Sequence, residues 1–242
     1  MSQENAKVAL ITGAYRGIGF ELCRQLAQKG LRVVLTARDS QKGEAAAKTL
    51  QQEGLDVAFQ QLDVTNPTTI DQTYDWLLKQ YGRLDYLVNN AGILADAKRH
   101  PPEDKGASIF KAQIETIRES MEVNVYGAIR MAQKFVPLMI KNGFGRIINI
   151  SSGMGQLSEM EGGWPGYRIS KTGLNAVTRI LADELSDTPV TVVSICPGWV
   201  KTEMGGKDAE LEVDKAVGHI VRTLLDDRQS GVFLRFGEKL DW

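Results

Sequence analysis

Short apolar runs and longer amphipathic stretches alternate along almost the whole 242-residue chain. The apolar runs are rich in Val, Ile and Leu, which is typical of strands buried on both faces of a sheet. The stretches between them carry apolar residues at helical spacing. We predict strands at Val8–Thr12, Arg32–Thr36, Asp56–Gln61, Leu84–Asn89, Arg146–Ser151, Val190–Cys196 and Val232–Arg235, and helices at 17–29, 40–54, 67–81, 115–142, 165–187 and 212–227.

This alternation predicts an α/β fold with a doubly wound, Rossmann-type parallel sheet that is covered by helices on both faces. No linker rich in Pro, Gly or Ser divides the chain, so we expect one domain over residues 1–242. In such sheets ligands bind beyond the carboxyl ends of the strands, where the winding reverses. Unusual residues follow six predicted strands and indicate that this edge carries the function: TGAYRGIG, AR, DV, NNAG, SS and PG.

The segment TGAYRGIG, residues 12–19, places three glycines between the first predicted strand and the first predicted helix. Such a turn lets backbone N–H groups approach an anion, with the positive end of the helix dipole behind them. A tight turn without a ligand would need the same residues, so the motif alone leaves both interpretations open.

Charge and composition narrow the range of partners. Lys and Arg total 29 against 30 Asp and Glu, a net charge of -1 that favours neither nucleic acid nor a membrane surface. The polar start MSQENAK and the lack of any apolar stretch of ~18 residues predict neither a secretory signal nor a membrane span. We expect Cys23 and Cys196 to be reduced and buried in a cytoplasmic protein. With His100 and His219 as its two histidines, the sequence predicts no metal site.

A series of short motifs follows along the chain: Thr12-Gly13 with Gly17-Ile18-Gly19, Asp63-Val64, Asn89-Asn90-Ala91-Gly92, Asn124 in NVYG, Ser151-Ser152, Tyr167-Arg168-Ile169-Ser170-Lys171, and Pro197-Gly198 with Thr202. In this order and near this spacing, they resemble the short-chain dehydrogenase/reductase family over nearly the whole chain. The segment LTARD around Arg38 is similar to that of NADPH-dependent carbonyl reductases. The resemblance implies an oxidoreductase that uses NADPH/NADP+ to interconvert a small carbonyl compound and its alcohol.

For the cofactor, the resemblance implies a site along the carboxyl ends of the strands. Gly13 would permit the turn, Gly17 would let the pyrophosphate approach, and Gly19 would let the helix pack on the strand. The full set of implied cofactor residues is Gly13, Arg16, Gly17, Ile18, Gly19, Arg38, Asp63, Val64, Asn90, Ala91, Gly92, Tyr167, Lys171, Pro197, Gly198, Val200 and Thr202.

Within this set, the resemblance distributes the contacts over the two halves of the cofactor. Asp63 and Val64 would contact the adenine, and Asn90 and Gly92 would lie against the adenosine half. Thr202 would bind the nicotinamide carboxamide.

The choice between NADPH and NADH depends on the end of the second predicted strand. An NAD-specific enzyme of this kind would place an acidic residue near Ala37 to hold the ribose 2′-hydroxyl. Here Arg38 follows Ala37, and a guanidinium can bind a 2′-phosphate bidentately. Arg16 adds a charge on the adenosine side, and Asp39 is expected to cap a helix. The sequence therefore predicts NADPH.

Tyr167 and Lys171 are four residues apart in a predicted helix, so their side chains share one face. A nearby ammonium is expected to lower the pKa of the phenol from about 10 towards neutrality, which suits proton transfer. In the family's scheme Tyr167 donates a proton to the substrate carbonyl oxygen, and Lys171 also holds the nicotinamide ribose. Ser152 hydrogen-bonds the same oxygen, with Ser151 as the competing candidate. Asn124 would hold a water that links Lys171 to solvent, unless it is a polar residue on a solvated helix face.

Two segments are expected to shape the substrate site. Residues 94–110 are polar and form a longer connection than the fold needs. Residues 152–166 are glycine-rich and carry Met154, Met160 and Trp164, which suit a hydrophobic carbonyl substrate and subunit packing equally well.

Two questions keep an alternative interpretation: the oligomeric state of the protein, and whether it is an enzyme. In the family that the chain resembles, some carbonyl reductases are monomers with a long insertion before the catalytic tyrosine. This chain has no long insertion there, so the resemblance favours a homo-oligomer, a dimer or a tetramer. A non-catalytic NADPH-binding sensor or scaffold is the alternative to an enzyme, although such a protein would be expected to lose some of its catalytic residues.

Overall fold

The computed structural model describes residues 6–99, 108–226 and 229–242. Its strands are β1 (Val8–Ile11), β2 (Arg32–Ala37), β3 (Val57–Gln61), β4 (Tyr86–Asn89), β5 (Gly145–Ile150), β6 (Val190–Cys196), β7 (Val232–Arg235) and β8 (Glu238–Leu240). The α-helices are α1 (Gly17–Gln28), α2 (Ser40–Gln52), α3 (Pro67–Tyr81), α4 (Asp96–Arg99), α5 (Ile114–Met121), α6 (Gly127–Lys141), α7 (Pro165–Glu184) and α8 (Val213–Asp226). A π-helical turn, Glu122–Tyr126, joins α5 to α6, and a 3-10 turn covers Gly153–Gly155.

The strands form one sheet in the order β3-β2-β1-β4-β5-β6-β7-β8. Strands β1 to β7 run parallel, and β8 pairs antiparallel with β7. The winding reverses between β1 and β4, which opens a crevice at the carboxyl ends of the central strands. The predicted doubly wound parallel sheet is therefore confirmed, with one antiparallel edge strand added.

Alternate residues of β1 pack into two cores, one on each face of the sheet. Ala9 and Ile11 join a core with residues of α1, α2 and α8, whereas Val8 and Leu10 join a core with residues of α3 and α6. All four side chains are fully buried. This two-sided burial explains why the strand is a continuous apolar run rather than an alternating one.

Three local features differ from the sequence-based prediction. The helix predicted over 115–142 is interrupted by the π-helical turn between α5 and α6. The short helix α4 and the strand β8 were not predicted, because segments of three or four residues carry too little periodicity. Strand β8 forms because Phe236 and Gly237, with φ of 55° and 89°, make a two-residue hairpin turn. Residue 227 of the helix predicted at 212–227 lies outside the described residues.

Both cysteines are free and buried, as predicted: Cys23 in α1 and Cys196 at the end of β6. Within the ranges given above, no helix combines the length and the apolar character that crossing a membrane requires.

Candidate active site

A cleft of about 1890 Å³ runs along the carboxyl edge of the sheet. All of the residues predicted to bind the cofactor line it, together with Ser151 and Ser152. The structure therefore brings together residues from six strand ends that are far apart in sequence. Of the predicted catalytic residues, Asn124 does not line the cleft and lies behind its wall.

The glycine-rich turn and the NNAG segment pack directly against each other. Gly13 has φ of 63°, and a Cβ there would lie 2.9 Å from the Cα of Ala91. A Cβ at Gly19 would lie 2.5 Å from Nδ2 of Asn90, which donates to the carbonyl oxygen of Gly13 (3.1 Å). Both positions need glycine because neighbouring main chain or side chain fills the space. Asn90 thus holds the turn in place in addition to lining the cleft.

The amino end of α1 is open to the cleft. Its N-cap residue, Arg16, makes no side-chain capping bond, and the first turn contains no acidic residue. Gly17 and Ile18 of that turn line the cleft, so the unpaired N–H groups and the positive end of the helix dipole are available to an anion. The Arg16 guanidinium itself is ion-paired with Glu203, which reduces the free positive charge that the sequence led us to expect from this arginine.

Arg38 is the second cation at the adenosine end. It is exposed and directly follows Ala37, the buried last residue of β2. No carboxylate among the described residues forms an ion pair with it. Asp39 caps α2, as predicted, and accepts from the backbone N–H of Lys42 (3.1 Å), a bond that lowers the pKa of Asp39. Within the described part of the chain, the Arg38 guanidinium therefore has no ion-pair partner that would compete with a phosphate.

Tyr167 lies in the first turn of α7, where Pro165 begins the helix, and its hydroxyl faces Ser152, the N-cap residue of the 3-10 turn that follows β5. Burial raises the pKa of Tyr167 to about 12, and the nearby Ser152 side chain acts in the opposite direction. The ammonium of Lys171 lies 5.5 Å from the centroid of the Tyr167 ring. These three side chains converge on one point of the cleft.

The prediction that Lys171 lowers the pKa of Tyr167 towards neutrality is wrong for this structure. The ammonium donates to the carbonyl oxygen of Ile150 (2.7 Å) rather than to the phenol. Burial also lowers the pKa of Lys171 to about 8, so the ammonium loses its proton more readily than an exposed lysine does. Burial is the largest influence on both groups, and it disfavours the charged form of each.

The structure separates the two adjacent serines. Ser151 is buried and its hydroxyl donates to the carbonyl oxygen of Lys171 (3.4 Å). The hydroxyl oxygen of Ser152 accepts from the N–H of Met154 (3.2 Å), and this side chain acts on the pKa of Tyr167. Ser152 is therefore the serine that faces the phenol, in agreement with its choice over Ser151.

Asn124 lies in the π-helical turn and is 2% exposed, so the alternative of a polar residue on a solvated face is wrong. Its side chain accepts from the N–H of Ile93 (2.8 Å) and donates to the hydroxyl of Ser170 (2.9 Å). A Cβ on Gly92 would lie 3.3 Å from Oδ1 of Asn124 and 3.5 Å from Nζ of Lys171. Asn124 thus ties the segment after β4 to α7, directly behind the lysine.

The two segments predicted to shape the substrate site reach the cleft in part. Leu94 and Ala97 line it from the first segment, of which residues 100–107, His100 included, lie outside the described residues. Met154 and Trp164 line it from the second, whereas Met160 does not.

Sequence reasoning missed one buried carboxylate beside the tyrosine. Asp96 of α4 is 1% exposed and accepts from the backbone N–H groups of Gly166 (3.0 Å) and Tyr167 (2.9 Å). It satisfies unpaired donors at the amino end of α7 and complements the helix dipole there. Its partners are about 70 positions later, so no local pattern could reveal the pairing.

Asp96→Ala is expected to destabilise the protein by about 2–3 kcal/mol, because two charge-assisted hydrogen bonds to buried N–H groups are lost. Since Asp96 fixes the backbone of Tyr167, kcat should fall while the Kd of the cofactor stays nearly unchanged. Urea denaturation and steady-state kinetics measure the two effects. Asp187→Ala removes an exposed aspartate and serves as the control. Equal stability of Asp96→Ala and the control would show that this carboxylate does not hold the helix.

Lys171 predicts a specific pH dependence of stability. Its folded pKa of about 8 is below its ordinary value of 10.5, so between these limits the unfolded chain binds a proton that the folded protein does not. Stability must then rise with pH across this window. We expect the unfolding free energy of the wild type, relative to Lys171→Met, to increase by about 3 kcal/mol from pH 8 to 10.5.

Urea denaturation at pH 7.5, 9 and 10.5 tests this expectation. Lys215→Met, which removes an exposed lysine of α8, should show no such increase. A difference between the wild type and Lys171→Met that is independent of pH would mean that burial does not disfavour this ammonium.

Comparison with known proteins gives one consistent result. The family model "short chain dehydrogenase" matches residues 7–212. The chain is similar to a (+)-neomenthol dehydrogenase of Arabidopsis thaliana, with 35% identity over 290 aligned positions that cover 96% of this chain and 97% of that protein. It is also similar to carbonyl reductase [NADPH] 1 of Mus musculus, with 34% identity and 84% coverage of each chain. The structure of an NADPH-bound carbonyl reductase from chicken fatty liver superposes with a TM-score of 0.86 at 27% identity, covering 98% of this chain and 99% of that chain.

Proposed function

The chain belongs to the short-chain dehydrogenase family, and we propose that it reduces a carbonyl compound to the alcohol with NADPH, as one catalytic domain over residues 1–242. One observation carries the proposal most strongly. At a single point of the cleft, the hydroxyl of Tyr167 faces the side chain of Ser152, and the ammonium of Lys171 lies 5.5 Å from the centroid of the same tyrosine ring. Two hydroxyl groups that converge in this way can both reach one carbonyl oxygen.

The residues at the adenosine end of the cleft fit NADPH. The uncapped amino end of α1 offers N–H groups to the pyrophosphate, and Arg38, which forms no ion pair with a described carboxylate, offers its guanidinium to the 2′-phosphate. Relatives whose names or titles include NADPH share this fold. When bound, NADPH supplies the hydride for the carbonyl carbon.

Tyr167 would supply the proton. Its pKa of about 12 keeps the phenol protonated at neutral pH, so that it can donate to the carbonyl oxygen as negative charge develops there. Ser152 would donate a second hydrogen bond and stabilise the same charge. Both groups are held by regular structure: Ser152 caps the 3-10 turn that follows β5, and Tyr167 lies in α7, whose amino end is fixed by Asp96.

Lys171 and Asn124 would act behind these two groups. Lys171 would hold the nicotinamide ribose and provide a positive charge near the phenol once a proton has left it. Asn124 positions Ile93 and Ser170, and the second lone pair of its Oδ1 leaves room for the water that the family resemblance implies.

The proposal also includes the cellular location and the oligomeric state of the protein. We place it in the cytoplasm, in keeping with its two free cysteines, and expect a dimer or a tetramer. Exposed isoleucines on the outer face of α7, Ile169 and Ile180, support contact between subunits.

The rival function is an NADPH sensor or scaffold without turnover. A protein that had lost its catalytic function would not be expected to retain Ser152, Tyr167 and Lys171 in this mutual arrangement. The test is NADPH oxidation, followed at saturating cofactor, with a panel of aliphatic and aromatic aldehydes and ketones. Turnover of any member supports the enzyme, whereas tight NADPH binding with no turnover of the panel favours the sensor.

A further inference from the structure

Among the described residues, four arginines line the cleft, and two of the four are ion-paired. Arg16 is ion-paired with Glu203, and Arg168 with Glu161. Arg38 and Arg235 form no ion pair with any described carboxylate. Arg38 is accounted for by the 2′-phosphate of the cofactor. Arg235 lies in β7, near the other edge of the sheet from β2. It is a second cation that the proposed function leaves unexplained.

Arg235 is the last residue of β7, where it stands in register with Cys196 of β6. Its side chain is partly buried, and the Nε atom is fully buried with no hydrogen-bond partner among the residues that the structure describes. A Cβ on Gly153 would lie 2.2 Å from Nη2 of Arg235, so the guanidinium occupies the space beside this glycine. Gly153 directly follows Ser152, which places the positive charge next to the residue that would hold the substrate carbonyl.

The neighbouring groups do not neutralise this charge. Glu238 stands opposite Arg235 in the β7–β8 hairpin, but it is exposed and forms no ion pair with it. The sulfur of Cys196 already accepts the N–H of Gly153 (3.1 Å). A guanidinium remains charged at all physiological pH values, and a partly buried one without a partner is unfavourable. A ligand that brought an anionic oxygen to this guanidinium would supply the missing negative charge.

We propose that Arg235 binds a carboxylate on the substrate, so that the enzyme prefers carbonyl compounds which carry one. This inference rests on the proposed function, because the carboxylate is recognised while the carbonyl lies at Ser152 and Tyr167. The guanidinium of Arg235 lies beside Gly153, and the Cα atom of Gly153 is only about 3.8 Å from that of Ser152. The positive charge therefore lies within a small molecule's length of the reacting carbon. The preferred substrates are therefore compact aldehyde or keto acids.

The test compares matched substrates that differ in one charge. 3-Carboxybenzaldehyde and 4-carboxybenzaldehyde are assayed against their methyl esters, and the ratio of kcat/KM for acid over ester is the measured quantity. A charge-assisted bidentate pair contributes enough for a ratio of about tenfold or more in the wild type. Arg235→Met and Arg235→Gln should bring the ratio to one or below, and Arg235→Lys should retain part of it.

Arg222→Met is the matched control, because it removes an exposed arginine of α8 that does not line the cleft. Its ratio should equal that of the wild type. A wild-type ratio near one, or a high ratio that survives in Arg235→Met and Arg235→Gln, overturns the inference. Turnover of the esters in that case would leave the proposed reductase function intact.

Binding gives a readout that does not depend on turnover. Calorimetric titration of 4-carboxybenzaldehyde into the NADP+-loaded protein should give a Kd about tenfold weaker in Arg235→Gln than in the wild type. Equal affinities in the two proteins would overturn the role of Arg235 even if no carbonyl compound were reduced.

Discussion

Replacing Tyr167 by phenylalanine is expected to abolish measurable turnover while NADPH binds with a Kd within a few-fold of the wild type. The substitution removes one oxygen atom and keeps the ring that packs beside Lys171 at 5.5 Å. A positioned proton donor contributes about 10²–10⁴-fold to the rate of a reaction of this kind. Because the hydroxyl of Tyr167 faces Ser152, its loss leaves the serine alone at the carbonyl oxygen.

The measurement is kcat with a reactive aldehyde, together with the Kd of NADPH from fluorescence titration. Tyr126→Phe removes the hydroxyl of an exposed tyrosine and should leave both quantities unchanged. Turnover by Tyr167→Phe within tenfold of the wild type would end the proposed mechanism. A large loss of NADPH affinity would instead show that the hydroxyl serves mainly to hold the cofactor.

Arg38 is expected to give NADPH about a tenfold to hundredfold preference over NADH. One charge-assisted bond of a guanidinium to phosphate contributes roughly 1.5–3 kcal/mol, and each 1.4 kcal/mol is tenfold in affinity. Arg38 has no carboxylate partner among the described residues, so binding of the phosphate does not require an ion pair to break first. Arg16 differs, because it must first leave Glu203, and Arg16→Leu should change the preference less than Arg38→Leu does.

The preference should also be reversible. In Ala37→Asp/Arg38→Leu, a carboxylate at the end of β2 would repel the 2′-phosphate and accept a hydrogen bond from the free ribose hydroxyl. The ratio of kcat/KM for NADPH over NADH is measured in the wild type, both single arginine variants and this double variant. Added salt should narrow the wild-type ratio, since Arg38 is exposed and its charge is screened.

Two results would contradict this interpretation. A wild type that prefers NADH would mean that the end of β2 does not recognise the phosphate. A ratio that is the same in Arg38→Leu and the wild type would place the recognition elsewhere, with Arg16 as the first residue to examine.

The sequence was sufficient for the features that local patterns carry. Apolar runs such as Val8–Ile11 identified seven of the strands, because a strand buried on both faces has no polar alternate positions. The parallel order then brought the strand ends together, and all of the predicted cofactor residues do line one cleft. Asp39 could also be assigned as a helix cap from its position alone.

The features that escaped prediction depend on pairs distant in sequence. Asp96 with Gly166, Arg16 with Glu203, and Arg235 beside Gly153 each join segments that only the folded sheet brings together. The pKa of Tyr167 was misjudged for a related reason, because burial is a property of the folded cleft and is the largest influence on this phenol. The π-helical turn around Asn124 has no periodic signature that distinguishes it from a continuous helix.

The central claim is that this chain moves a hydride from NADPH to a carbonyl carbon. NADPH that carries deuterium at C4 of the nicotinamide, on either face in turn, is incubated with the wild type and a reactive aldehyde, and the alcohol is analysed by mass spectrometry. We expect deuterium at the carbinol carbon from one of the two labelled cofactors, and none from the same incubations with Tyr167→Phe. NADPH that binds tightly while neither label reaches any carbonyl compound of the panel would contradict the claim and identify the protein as a sensor.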